Sequence, residues 1–181
     1  MKKIFFLIMA ACFLYGDNGL SQYSEFSLTH PTYDKFLKFV EESGLTEDDL
    51  NNAYSDCEAS PRNAFICALA YDYGYSTSDL AAAGATDKVK HLYLMAADED
   101  IHIGAKSAKY EYADYMLRNG KSGNIKSFFK PGECYTKMNK GTCFYYLGAS
   151  RYLDDPKDCK YLRQASRYGI KPNFYKRLCE K

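Results

Sequence analysis

Six cysteines, Cys57, Cys67, Cys134, Cys143, Cys159 and Cys179, constrain what this sequence can fold into more than any other feature. In an antiparallel helix pair, residues that face each other lie at equal chain distance from the turn, so a bridging pair should be centred on turn residues. Cys57 and Cys67 have their midpoint at Arg62, beside Pro61. Cys134 and Cys143 have theirs between Met138 and Asn139, just ahead of Gly141, and Cys159 and Cys179 have theirs at Gly169. Six thiols allow fifteen complete pairings. Only this one staples three helical hairpins, and it is the expected connectivity. Zinc is the competing use of such thiols, but there is no C-x-x-C, and His30, His91 and His102 are not spaced to complete a site. Neither metal nor cofactor is expected.

Disulfides require an oxidising compartment, and the N-terminus supplies the address. Residues 1–21 read as a secretory signal, with Lys2 and Lys3 as the basic region, Ile4 to Tyr15 as the apolar run and Gly19-Leu20-Ser21 as a small-x-small cleavage site. The mature chain would start at Gln22 and be periplasmic or secreted. Its removal discards Cys12, the seventh cysteine, and leaves an even set. Met9-Ala10-Ala11-Cys12 offers a second reading, a lipoprotein box with a lipid on Cys12, although the apolar run before it would be short. No later stretch reaches the roughly 18 apolar residues of a membrane span. At 181 residues one domain is the default. The expected organisation is signal peptide 1–21, N-terminal helix and linker 22–45, and a helical-repeat domain 46–181.

Gly and Pro punctuate the mature chain into helical segments. Pro31 to Glu42, ended by Gly44, places Phe36, Leu37 and Val40 on one face. Thr46-Glu47-Asp48-Asp49 forms a capping box that opens a helix containing Leu50, Ala53, Tyr54 and Cys57. Pro61 starts the next, over roughly Arg62 to Tyr73. Residues 75–86 are ambiguous; Thr86 or Asp87 should cap Lys88 to Asp98, and Gly104 to Arg118 follows. Asn124 to Met138 should be broken at Pro131-Gly132, and Thr142 to Leu153, Pro156 to Tyr168 and Pro172 to Glu180 complete the series. Strand-like alternation is hard to find. The expected fold is all-α.

The helices also repeat. Leu69-Ala70, Tyr112-Ala113 and Leu147-Gly148 each set a large apolar residue before a small one, and Leu92-Tyr93-Leu94-Met95-Ala96-Ala97 matches Tyr161-Leu162-Arg163-Gln164-Ala165-Ser166. Small residues at recurring sites let helices approach closely. On these residues, with Tyr73 after Leu69-Ala70 and Ala96-Ala97 after Tyr93, residues 46–181 resemble the Sel-one-like repeats, relatives of the tetratricopeptide repeat. Cys134 and Cys143 resemble the exported cysteine-rich branch of that family, found in Gram-negative bacteria. The resemblance implies a short right-handed α-solenoid of antiparallel helix pairs. Arg151 departs from the pattern where Tyr is expected, Pro131-Gly132 interrupts a second helix, and the pair around Gly104 lacks a cysteine.

Some members of that branch are labelled β-lactamases or penicillin-binding proteins, so the resemblance implies β-lactam binding or weak hydrolysis as an alternative activity. Ser127-Phe128-Phe129-Lys130 satisfies S-x-x-K and makes Ser127 and Lys130 the catalytic candidates. Against this, Ser122-Gly123-Asn124 precedes rather than follows it, Pro131 ends the turn, and no K-T-G exists. His91 beside an apolar stripe and His102 among Asp98, Glu99 and Asp100 have no nucleophile to serve.

Aromatic content and charge point instead to binding. The chain has 18 Tyr and 11 Phe but no Trp, and Tyr110, Tyr112, Tyr115, Tyr145, Tyr146 and Tyr152 crowd two helices. Tyrosine suits interfaces because it offers large area with little entropy to lose. Residues 22–120 carry 8 basic and 17 acidic groups, a net −9, while 121–181 carry 14 basic and 5 acidic, a net +9. Such a field orients partners. The expected function is an exported protein-interaction module binding another protein or peptide on a concave tyrosine-rich face, in one version a periplasmic immunity or inhibitor protein. Nucleic acid is not an expected partner for an exported chain.

Overall fold

The computed structural model describes residues 33–73, 85–136, 139–170 and 179. The expected signal segment with Cys12, residues 75–84 of the ambiguous stretch, and the expected last helix from Pro172, apart from Cys179, lie outside these residues. Among the described residues there are nine helices and one small hairpin: α1 (Tyr33–Ser43), α2 (Glu47–Ser55), α3 (Pro61–Asp72), α4 (Ala85–Asp98), β1 (His102–Ile103), β2 (Lys106–Ser107), α5 (Ala108–Arg118), α6 (Ile125–Phe128), α7 (Pro131–Thr136), α8 (Lys140–Asp154) and α9 (Lys160–Arg167). No helix among them is long and apolar enough to cross a membrane. The chain divides into two compact units, one reaching to Leu92 and including Ile103–Ala105, the other holding Tyr93–His102 and the residues from Lys106 onward.

In the first unit, α1 buries Phe36, Phe39 and Val40, with the two rings 6.0 Å apart. Phe39 thus takes the inward place expected of Leu37, which stays half-exposed, because i, i+3 and i+4 rather than i+1 share a helix face. Gly44 ends α1 at φ +64°. Thr46 then caps α2: its hydroxyl accepts the Asp49 N–H at 3.2 Å while the Asp49 carboxylate accepts the Thr46 N–H at 2.9 Å. Ser60 caps α3, with Pro61 in its first turn. Seven successive residues, Ala64 to Ala70, are buried there, so α3 is the central helix of this unit. A disulfide joins Cys57 to Cys67 across the bend between α2 and α3, with their Cα atoms 5.8 Å apart.

The capping box yields a test. Hydrogen bonds from the Thr46 backbone and hydroxyl, with Arg62 at 3.3 Å, lower the pKa of Asp49 below the ordinary carboxylate value despite its partial burial. A depressed folded pKa stabilises above the unfolded value, and that contribution disappears as pH falls through the folded value. Thr46→Ala is expected to cost about 1 kcal/mol at neutral pH. It should cost clearly less once Asp49 is protonated, measured as the Tm difference between variant and wild type across an acid titration.

Beyond α3 the chain departs from the sequence reading in three places. Helix α4 begins at Ala85, so Thr86 and Asp87 lie inside it rather than at its cap; alanine favours the extension, and Asp87 suits the first turn. The helix expected from Gly104 starts only at Ala108, because Gly104 takes φ +57° in the turn between β1 and β2, and the Ala108 N–H bonds to the Ile101 carbonyl at 2.9 Å. Helix α9 starts at Lys160 and not at Pro156. Asp155 and Asp158 accept the backbone N–H groups of Lys157 and Lys160, so side-chain turns hold residues 155–159 out of the helix.

The break at Pro131-Gly132 is present: α6 ends at Phe128, Phe129 is fully buried, and Pro131 opens α7. Cys134 joins Cys143, with Cα atoms 5.4 Å apart, and Cys159 joins Cys179 at 5.7 Å. Helix α8 packs closely on α9 at Gly148 and on the segment that follows α9 at Gly141. A Cβ at Gly148 would lie 2.5 Å from the Leu162 nitrogen, and one at Gly141 would lie 2.8 Å from Ile170 Cγ1. Leu69-Ala70, Tyr112-Ala113 and Leu147-Gly148, the large-small dyads, are all buried.

Candidate aromatic interaction surface

Helices α5 and α8 carry the six tyrosines singled out from the sequence, and helical phase sorts them. Tyr112 and Tyr115 share the inward face of α5 with Ala113 and Met116 and are buried. The Tyr112 hydroxyl accepts the Asn124 N–H at 3.1 Å, and its ring meets Phe128 edge-on at 5.5 Å. Tyr115 lies 5.5 Å from Tyr93. Both therefore serve the core and not a binding face. Tyr152 is half-buried against the cluster of Ala149, Cys159, Leu162 and Cys179, where it shields the third disulfide.

The remaining three converge. Tyr110 lies 5.7 Å from Tyr146, and Tyr145 lies 5.2 Å from Tyr146, all half-buried. Phe129, set by the break between α6 and α7, forms the floor, 5.2 Å from Tyr110 and 5.4 Å from Tyr146. Burial raises the pKa of all three hydroxyls, assisted by Asp100 at Tyr110 and by Asp114 at Tyr145. At Tyr146 burial again dominates, with Asp114 and Glu111 adding to it. The hydroxyls stay protonated and can donate as well as accept hydrogen bonds. Each carboxylate has a cation: Lys109 lies 3.1 Å from Asp100, Lys106 2.7 Å from Glu111 and Arg118 2.8 Å from Asp114. The surface is aromatic and polar with little net charge, a composition suited to a protein interface.

The catalytic candidates are not arranged as S-x-x-K requires. The exposed Ser127 donates its hydroxyl hydrogen to the Asn124 carbonyl at 2.7 Å, within a helix of four residues that ends before Lys130. Exposed His91 faces Glu58 at 4.0 Å, and His102, on β1, faces Asp100 at 3.5 Å. No group of three His, Cys, Asp or Glu among the described residues could hold a metal ion.

One aromatic group escaped the sequence reading. Phe144, fully buried on α8, is stacked with Tyr161 at 6.1 Å and with Tyr168 at 5.7 Å, and Tyr135 meets it edge-on at 4.9 Å. Cations cover both ends of the row. The Arg151 guanidinium lies 4.9 Å from the Tyr161 ring centre, and the Lys140 ammonium lies 6.0 Å from that of Tyr168. Arg151, the departure from the repeat pattern, thus has a packing role. The faint signal was the seven-residue interval between Tyr161 and Tyr168, two turns along one helix face.

No protein-family model matches the chain, and no curated protein and no solved structure matches it either.

Proposed function

We propose that this chain is an exported protein-interaction module, a short helical-repeat scaffold that binds another protein or peptide through the surface formed by Tyr110, Tyr145 and Tyr146 over Phe129. The observation that carries this reading is the cluster in which Tyr110 and Tyr146 pack on the buried Phe129 ring and Tyr145 packs on Tyr146. Rings so packed have little freedom to lose on binding. Export is supported by three disulfides, which form and persist in oxidising compartments. The resemblance to Sel-one-like repeats suggests the concrete version, a periplasmic immunity or inhibitor protein that blocks a secreted toxin.

The test is capture of a partner from the periplasm or medium by the oxidised chain, with crosslinking. Tyr110→Ala with Tyr145→Ala is expected to weaken capture roughly tenfold or more, as for aromatic anchors at interfaces. Tyr110→Phe with Tyr145→Phe, which keeps the rings, should retain most of it. Capture unaffected by the alanine pair, in protein whose circular dichroism matches wild type, would contradict the reading.

A further inference from the structure

The outer face of α9 carries positive charge that no ion pair among the described residues neutralises, the Lys160 ammonium lying 5.3 Å over the Tyr161 ring. Tyr161, Leu162 and Ala165 point into the protein. On the opposite side Lys160, Arg163, Gln164 and Arg167 fall at i, i+3, i+4 and i+7 and form one stripe. The three cations are exposed, and no carboxylate lies within ion-pair distance of them among the described residues. The acids of the preceding turn are engaged elsewhere: Asp154 pairs with Lys126, Asp158 with Arg151 at 3.2 Å, and Asp155 accepts the Lys157 N–H at 3.0 Å. Lys160 also opposes the helix dipole, which favours an acid in the first turn, and the N-cap residue Cys159 supplies no side-chain hydrogen bond. A local rule broken at an exposed position is what functional sites show.

Two rings of the same unit are also exposed, Tyr168 just past the end of α9 at 44% and Tyr135 on α7 at 46%. Both pack on Phe144, and Lys140 lies over Tyr168. They are held in place before any partner arrives.

We propose that the outer face of α9, with Tyr168 and Tyr135, docks an acidic protein segment in which several carboxylates flank an aromatic or apolar side chain. Complementary charge selects the carboxylates, and the supported rings accept the apolar group. A membrane is the weaker fit, because a basic helix lying on lipid inserts its apolar face, and here Tyr161, Leu162 and Ala165 are buried in the protein. Nucleic acid is disfavoured by the oxidising compartment that the disulfides require. The inference rests on the reading of the chain as a protein-binding module, and it names the chemistry of a partner at a second surface.

The test uses the oxidised chain and a fluorescein-labelled peptide of alternating Glu and Tyr, read by anisotropy. Binding is expected to weaken roughly tenfold or more in Lys160→Glu with Arg163→Glu and Arg167→Glu, and severalfold in Tyr168→Ala. It should fall steeply with added salt. Should charge reversal disturb folding, Arg163→Gln with Arg167→Gln carries the same test. Peptide binding that ignores these substitutions overturns the inference, as does tighter binding to phosphatidylglycerol vesicles or to single-stranded DNA of matched length. Failure of partner capture by the Tyr110 surface, with peptide binding intact, counts against that surface alone.

Discussion

Reduction of the three disulfides is expected to unfold the chain. Each bond closes a short loop, with sequence separations of 10, 9 and 20 residues. Chain-entropy bookkeeping assigns such loops roughly 3 kcal/mol apiece. The total stability of a typical domain is about 5–15 kcal/mol, so losing all three removes most or all of it. Far-UV ellipticity and the urea midpoint, measured with and without reductant, check this; a reduced chain with an unchanged midpoint would refute it. The bonds should not open together. Cys57 is half-exposed, whereas Cys134 and Cys143 are fully buried, so limiting reductant should open Cys57–Cys67 first.

Gly148→Ala is the second large effect. A methyl there would lie 2.5 Å from the Leu162 nitrogen and 2.9 Å from Leu162 Cγ and the Tyr161 carbonyl carbon, and backbone cannot move aside cheaply. Overpacking of this kind costs about 1–3 kcal/mol, against a gain of at most about 1 kcal/mol in helix propensity. The balance is a loss, larger for Gly148→Val. Gly132→Ala is the control: Gly132 is exposed on α7, and nothing lies near its added Cβ. It should leave stability unchanged or raise it slightly. Denaturant midpoints of the two alanine variants should move in opposite directions or differ by about 1–2 kcal/mol; equal shifts would show that α8 and α9 do not meet at Gly148.

Much of this fold was legible because its signals are local. The Thr46 capping box, Pro61 in the first turn of α3, Gly44 after α1 and the break at Pro131-Gly132 each act within a few residues. Cysteines placed symmetrically about bends added long-range information, since a bond across a bend needs no knowledge of the rest of the chain. The errors arose where competing local chemistry was short. Strands of two residues carry no readable alternation, and the side-chain turns of Asp155 and Asp158 displaced the start of α9 past Pro156.

The binding surface was legible only in part. Tyrosine type and helix membership do not tell which ring turns inward. Tyr112 and Tyr115 became core because they share a face with Ala113 and Met116, while Tyr110 met Phe129 and Tyr146 through tertiary packing. The row through Phe144 joins residues of α7, α8 and α9 with Tyr168 just beyond, and no single helix displays it.

The most direct measurement is a peptide map, without reduction, of the natural chain recovered from cells expressing it. Expected are links Cys57–Cys67, Cys134–Cys143 and Cys159–Cys179, no free thiol, and an N-terminal peptide beginning at Gln22. Free thiols throughout, or a link between hairpins such as Cys67–Cys134, would contradict an exported scaffold stapled across its nearest bends.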